Sequence, residues 1–371
     1  MARSLPESAG GRARALNVRL FMAMLHTQEL LAGYLGVRLG LYEALQAGAA
    51  TAGELAERAG VAPRYALEWL EQQAVAGFLD VDDVFAPRDS RRYTLPAEHA
   101  VVLLASDNPL SMAALTMLPL GGVAAALPGL LDAYRGGRGV PDAAFGADWR
   151  NGHSGANRAL FTHELPGWLP AVLPALHSRL CDAPARIADV GCGAGWAALA
   201  LAGAYPHAQV DGYDLDPETV ALANANAKAG GLADRVNFRC EDAAEAAGTD
   251  KYDLVCVFDA LHEMSQPVPV LTACRALRAD AGTVLVLDAR VAPRFTAPGD
   301  EIERFQYATS ILHCLPVSLP STSQPAGPSR GGTGTVLRPD MVRRLAVAAG
   351  FTDARELRIN DRFHRLYHLT G

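Results

Sequence analysis

Lysine is almost missing from this chain. Only Lys228 and Lys251 occur among 33 basic residues, and arginine supplies the rest, a compositional bias that carries no functional inference. Positive charge is not in surplus either. The formal net charge is −7, so bulk electrostatics give no attraction to nucleic acid or to an anionic membrane surface. The six cysteines (Cys181, Cys192, Cys240, Cys256, Cys274 and Cys314) include no CxxC pair, and several lie inside apolar runs. A dense disulfide framework is excluded at this length, and buried reduced thiols in a cytoplasmic protein are expected. No metal-ligand cluster shows in the spacing, so no metal is expected. The opening residues, MARSLPESAGGRARAL, have no apolar h-region, so no signal peptide is expected. The uncharged stretch 111–131 is interrupted by Pro119, Gly121, Gly122 and Pro128, which favours helices buried over a core and no membrane span.

What is present is a globular composition, 50% hydrophobic and 20% charged over 371 residues, enough for two domains with sizeable cores. Residues 1–12 are polar and expected to fray. From residue 14 to 45 apolar residues recur at helical spacing, with Gly36 and Gly40 as expected breaks. Thr51 and Glu54 read as a capping box for a short helix to residue 59, stopped by Gly60. Pro63 opens a second helix that Gly77 ends, and FLDVDDVFAPRDSRRYTLP reads as two short strands around a polar turn. Helix, turn, helix, hairpin is the outline of a winged helix.

Residues 97–180 look mostly helical. From Arg186 the pattern alternates: strands in RIADVG, AQVDGYDL, RVNFRCE, YDLVCVF and GTVLVLD, helices over 196–204, 217–229 and 268–279. That alternation implies a doubly wound, parallel α/β sheet covered on both faces, closed by one more helix and two strands. The segment 316–335, rich in Pro, Ser and Gly, reads as a long loop with the character of a lid.

The stretch ADVGCGAGWAALALA, residues 188–202, places three glycines in five residues where a strand meets a helix. Such a loop lets a ligand approach the backbone and the free N–H groups of the helix start. Gly193, Gly195 and Ala198 also satisfy the dinucleotide pattern formally. An acid two residues ahead of the first glycine argues the other way, because a carboxylate repels a pyrophosphate and attracts a cationic amino-acid head group. Asp189-Val-Gly191-Cys192-Gly193-Ala-Gly195 resembles motif I of the class I S-adenosylmethionine-dependent methyltransferases. Asp214, 19 residues after Gly195, ends the second strand with Leu215 beside it, and matches the family's ribose acid; Asp216 stands nearby. Asp242 matches the residue that bonds the adenine amino group, with Ala243 offering backbone to the ring. Phe258 and Asp259 close the fourth strand over the site. Cys192 itself is expected to pack.

Leu261-His262-Glu263 resembles the segment of small-molecule O-methyltransferases whose histidine is the general base, with Glu263 in place of the usual Asp and Met264 in place of the plant-type Trp. The resemblance implies a Rossmann-like methyltransferase sheet behind an N-terminal, mostly helical winged-helix domain. It implies S-adenosylmethionine as cofactor, S-adenosylhomocysteine as product and His262 as proton acceptor. Transfer to carbon or nitrogen, with His262 only positioning the acceptor, is the alternative, and a ligand-sensing winged-helix regulator without turnover is the second. His163, Trp168, Tyr307, Ser310 and His313 are candidates for the acceptor pocket, in segments around the sheet's mouth. The expected partition is 1–97 winged helix and dimerisation, 98–181 helical linker and substrate cover, 182–371 methyltransferase. The first hundred residues hold ten arginines against twelve acids, so the winged helix is not expected to bind nucleic acid. The resemblance to O-methyltransferases implies that it pairs two subunits, and the apolar helical stretch 14–45 fits a homodimer.

Overall fold

The computed structural model describes residues 7–243, 245, 251–320 and 332–371. Two compact units divide at Leu120/Gly121. The helices expected to form a separate linker are therefore shared, residues 98–120 with the first unit and 121–181 with the second.

The first unit opens with α1 (Glu7–Arg38) and α2 (Leu41–Leu45), followed by α3 (Ala52–Ala59) and α4 (Pro63–Val75). Gly36 does not break α1. A β-carbon there would stand 2.4 Å from the Tyr42 ring and 2.7 Å from Trp69, so glycine serves close packing, and the turn falls at Gly40 with φ 65°. The capping box forms: Thr51 N donates to Glu54 Oε2 at 2.8 Å, and Glu54 N donates back to Thr51 Oγ1 at 3.3 Å. Strands β1 (Asp80–Val81) and β2 (Tyr93–Thr94) make the wing, and α5 (Ala97–Leu104) and α6 (Ala113–Met117) complete the unit. Leu55, Leu70, Tyr42 and Tyr93 fill its core.

A π-helical turn, Leu118–Val123, joins α6 to α7 (Ala124–Gly136), so Ala113–Gly136 is one apolar helical run, long and apolar enough by composition to cross a membrane. The expectation that this stretch is buried needs correction. Only 28% of its most apolar window is buried, and Leu127, Leu131 and Tyr134 are exposed, because one face alone meets protein. Gly122 is what allows that face to seat, since a β-carbon there would overlap Trp149 at 2.3 Å.

The second unit continues with α8 (Gly146–Ala156), α9 (Arg158–His163), α10 (Leu165–Val172) and α11 (Pro174–Asp182), then enters the sheet. Strands β3 (Ala185–Val190), β4 (Ala208–Asp214), β5 (Val236–Cys240), β6 (Tyr252–Phe258) and β7 (Arg278–Ala289) are parallel to their neighbours, in the order β5-β4-β3-β6-β7. The edge is finished by antiparallel β9 (His364–Thr370) and β8 (Asp353–Leu357). Helices α12 (Trp196–Ala204), α13 (Pro217–Ala229), α14 (Pro267–Leu277) and α17 (Pro339–Ala348) cover the faces. The period-two alternation of side chains assigns the two cores: Ile187, Leu254, Cys256, Leu285 and Leu287 point into one, Ala188, Val255, Val257, Val284 and Val286 into the other. Between β7 and α17 the chain forms α15 (Glu301–Thr309), a π-helical turn at Ser310–Cys314, and α16 (Leu315–Ser318). The expected 316–335 loop therefore starts later than its composition suggests, and most of the lid reading, residues 321–331, lies outside the described residues.

Candidate active site

The parallel strands end at a cavity of about 480 Å³ on the second unit. Its floor is the glycine loop. Gly191, Gly193 and Gly195 have φ of 72°, 52° and 83°, a region closed to most side chains. A β-carbon on Gly191 would come within 2.7 Å of Ala260, and one on Gly195 within 2.3 Å of the Phe238 ring. On Gly193 it would meet no atom within 4 Å. Two glycines are thus held by protein, and the third keeps its backbone bare toward open space. Cys192 packs against the chain, and burial together with the charges of Asp189 and Asp214 raises its thiol pKa.

Asp214 closes β4 and ties the loop down. Its Oδ2 accepts from Gly193 N at 2.9 Å and its Oδ1 from Asp216 N at 3.0 Å. Burial raises its pKa against those bonds. Asp216 caps α13 through the backbone of Glu218 and Thr219, and Arg150 of α8 faces it at 3.5 Å while pairing with Glu218. Leu215, Asp242, Ala243, Phe258 and Asp259 line the cavity beside them. Asp259 is the one non-glycine residue with positive φ among the described residues, at 53°. Asn157 donates to its carboxylate and His364 stands 3.7 Å away. Those partners hold a conformation that costs on the order of 1 kcal/mol for a residue of this type.

Asp189 departs from expectation. It does not line the cavity but lies beneath the loop, 1% exposed, with Oδ2 lacking a hydrogen-bond partner among the described residues. Burial lifts its pKa to about 7, opposed by the Ala198 N–H and reinforced by the charge of Asp214. Gly195 likewise sits behind the wall, as the N-cap of α12.

The opposite end is built from side chains. His262 lies in a single 3₁₀ turn, Leu261–Glu263, after β6. It is buried behind the cavity wall and does not line it; Glu263 does. The partner of His262 is Asp288, at the end of β7, which the sequence reading missed. Asp288 Oδ1 is 3.0 Å from His262 Nδ1, and Asp288 Oδ2 accepts from His262 N at 3.2 Å. Burial alone would lower the imidazole pKa, but the Asp288 charge prevails and raises it. Glu263 Oε1 is ringed by imidazoles: His313 Nδ1 at 3.2 Å, His262 Nε2 at 3.8 Å and His153 Nε2 at 3.8 Å. Burial would raise the Glu263 pKa; the three histidines hold it below the carboxylate range instead.

His313 is reached from sequence, but it stands behind the wall. Its Nε2 lies 3.2 Å from Asp142 Oδ1, and its ring packs on Trp149 at 4.0 Å. Burial opposes protonation there, yet Glu263 and Asp142 push its pKa up to about 11. The other four acceptor candidates are elsewhere. Trp168, on α10, is packed in the core, and His163 is on the surface. Tyr307 bonds Arg338 through its hydroxyl at 3.0 Å, and Ser310 is buried outside the cavity lining. The cavity is instead lined by Trp149, His153, Asn157 and Phe161 from α8, its following turn and α9, with Met264 and Val317. Helix α8 had no legible signal: it carries three glycines within GADWRNGHSGA and no clear apolar period. Arg158 stacks over Trp196 at 4.1 Å and braces the same wall.

An acid at the end of β4, an acid after β5, a bare glycine backbone and a buried carboxylate oxygen without a partner suit a nucleoside joined to a cationic amino acid. The residues present thus fit S-adenosylmethionine. Comparison with known proteins agrees. Residues 187–282 match the methyltransferase domain family, and residues 29–105 match the Rv2258c-like winged HTH domain family. The ubiquinone biosynthesis O-methyltransferase of Xanthomonas axonopodis pv. citri (strain 306) is 32% identical over 121 residues, 32% of this chain and 48% of that protein. The chain spans about half or less of the length of the curated relatives it matches. Among solved structures, the mitomycin 7-O-methyltransferase MmcR superposes with a TM-score of 0.70 at 22% identity, covering 97% of this chain and 99% of that one. Human N-acetylserotonin methyltransferase in complex with SAM gives 0.70 at 17% identity, with 100% of both chains covered. By sheet order, loop chemistry and both family matches, the chain carries a class I S-adenosylmethionine-dependent methyltransferase domain behind an N-terminal winged-helix domain.

Proposed function

We propose that the protein methylates a hydroxyl group of a small molecule, with His262 as the proton's destination. The observation that carries this reading is that one cavity has the glycine loop at one end and Glu263 and His153 at the other, with His262 and His313 packed directly behind Glu263. When bound, the cofactor supplies an electrophilic methyl group. The chain's own tasks are to hold the acceptor and accept its proton. Asp288 accepts a hydrogen bond from His262 Nδ1–H and raises the basicity of the ring, so Nε2, once it has lost its own proton, is the atom that takes the acceptor's. Trp149, Phe161 and Met264 give the acceptor an apolar wall, suited to a flat ring. His262 is reached past Glu263, so the acceptor hydroxyl has to displace that side chain or relay through it.

We also propose a homodimer. Leu16, Val18, Leu20, Phe21, Met24 and Leu35 of α1 are all about half exposed, an apolar surface that a second copy would cover. The winged helix is proposed to serve that pairing and not to bind DNA. The arginines of its second helix and wing are matched within the unit: Arg64 pairs with Glu68, Arg88 with Glu68 and Glu71, Arg91 with Glu71, and Arg92 with Glu54. Little charge is left for phosphates. The run Ala113–Gly136 is read as soluble protein, since Asp132 and Arg135 flank its exposed leucines.

The test is transfer of label from methyl-labelled cofactor to a library of phenols and alkaloids, comparing wild type with His262→Ala. Label lost in the variant supports a proton acceptor. Label retained moves the reading to carbon or nitrogen transfer with His262 only positioning. No transfer to any member, with specific DNA retention in a gel-shift assay, replaces the enzyme by a ligand-sensing regulator.

A further inference from the structure

Behind the acceptor end of the cavity, donor atoms of His262, Glu263 and Cys314 all lie within 4.8 Å of one another. The set is chemically mixed: an imidazole, a carboxylate and a thiol. Each donor is also aimed. His262 Nδ1 is committed to the buried Asp288 carboxylate at 3.0 Å, so Nε2 is the nitrogen turned toward Cys314 and Glu263, 3.8 Å from Glu263 Oε1. A carboxylate behind a histidine is how protein metal sites orient their imidazole ligands. His313 repeats the arrangement: its Nε2 is 3.2 Å from Asp142, and its Nδ1 is 3.2 Å from Glu263 Oε1 and 3.6 Å from Cys314 Sγ. Glu263 Oε1 lies within ionic reach of three imidazoles, His313 nearest. Around a tetrahedral zinc ion, bonds of about 2.0–2.3 Å put neighbouring donors roughly 3.3–3.7 Å apart. His262 Nε2 and Glu263 Oε1, 3.8 Å apart, lie close to that range, and Cys314 Sγ falls within 4.8 Å of both.

We propose that His262, Glu263 and Cys314 form a binding site for a divalent transition-metal ion of the zinc class, with solvent completing its coordination. Binding releases the Cys314 thiol proton and the His262 Nε2 proton to solvent, while His262 Nδ1 keeps its proton toward Asp288. Soft thiolate and imidazole donors favour zinc over magnesium or calcium. One consequence rests on the function proposed above: His262 Nε2 cannot hold an ion and accept a proton at once, so the loaded protein loses His262-assisted transfer.

The experiment uses the full chain, reduced and dialysed against a chelator, then titrated with Zn²⁺ in a calorimeter and with Co²⁺ in a spectrophotometer. One tight site per chain is expected, with a thiolate-to-cobalt absorption band. Cys240 is exposed at the end of the edge strand β5 and is not part of the cluster, so Cys240→Ser should leave band and stoichiometry unchanged. Cys314→Ser should remove the band, and Glu263→Gln and Asp288→Asn should each weaken binding by about 10–100-fold. No binding by wild type, no thiolate band, or a band lost with Cys240→Ser overturns the site. The wild-type spectrum reads sulfur ligation directly, so the proposal stands or falls even if a core variant does not fold. Tight binding with methyl transfer undiminished keeps the site and overturns the proton-acceptor role of His262 instead.

Discussion

At the β3–β4 end of the cavity the wall is backbone, shaped by Gly191, Gly193 and Gly195 and pinned by Asp214. At the other end it is side chain, contributed by α8, the turn after β6 and the segment after α15. The first end depends on what is left out, a row of β-carbons, and suits a ligand common to many enzymes. The second depends on what has been brought together, and suits an acceptor particular to this one. Damage to the two ends should therefore read out differently: cofactor affinity at the first, turnover at the second.

The largest effect is expected from Gly195→Ala. The new β-carbon combines positive φ with overlap of Phe238, a cost of about 2–4 kcal/mol, and it should abolish measurable binding of S-adenosylhomocysteine by calorimetry. Binding within twofold of wild type would show that the loop is not rigid. Next comes Asp288→Asn, which releases the His262 tautomer. Turnover should fall by about 10²–10⁴-fold with cofactor affinity unchanged. A parallel loss of affinity would mean that the two ends are not separable. Asp214→Asn attacks the first end more gently, exchanging one acceptor oxygen for an amide. It should weaken the demethylated cofactor about 10–100-fold and leave saturated turnover nearly intact.

The smallest effect concerns pH and the buried Asp189. Its folded-state pKa of about 7 lies above its unfolded value, so between about pH 4 and 7 the folded state binds the extra proton. Stability from this group is complete below the unfolded pKa and is lost as pH rises through the folded one. Asp189→Asn removes the titration. Its Tm relative to wild type should improve steadily from pH 5 to pH 8; a difference independent of pH would show that Asp189 ionises freely beneath the loop.

Legibility in the sequence followed the same division. The capping box at Thr51 and Glu54, helix α12 and the five parallel strands were readable because each is set by neighbours in the chain, through hydrophobic period, capping and glycine. Gly36 was misread as a break, since the rings that demand it, Tyr42 and Trp69, lie elsewhere in the chain. Trp168 and His163 were chosen for residue type and position, which say nothing of the side on which a helix is buried. Asp288 was missed because an acid ending a strand has no local mark of the histidine it will meet 26 residues away.

Sequence alone determined the cofactor end. A backbone that bends at Gly191, Gly193 and Gly195 between a strand and a helix is a local property, and the acids Asp214 and Asp242 fall at strand ends whose spacing the alternating pattern sets. Tertiary structure alone decided the acceptor end. Asp142 and His313 meet across 171 residues of chain, and the charge state of His262 follows from Asp288 and from burial. Such contacts arise only when helices and sheet pack, because burial and electrostatics depend on distance in space, not along the chain.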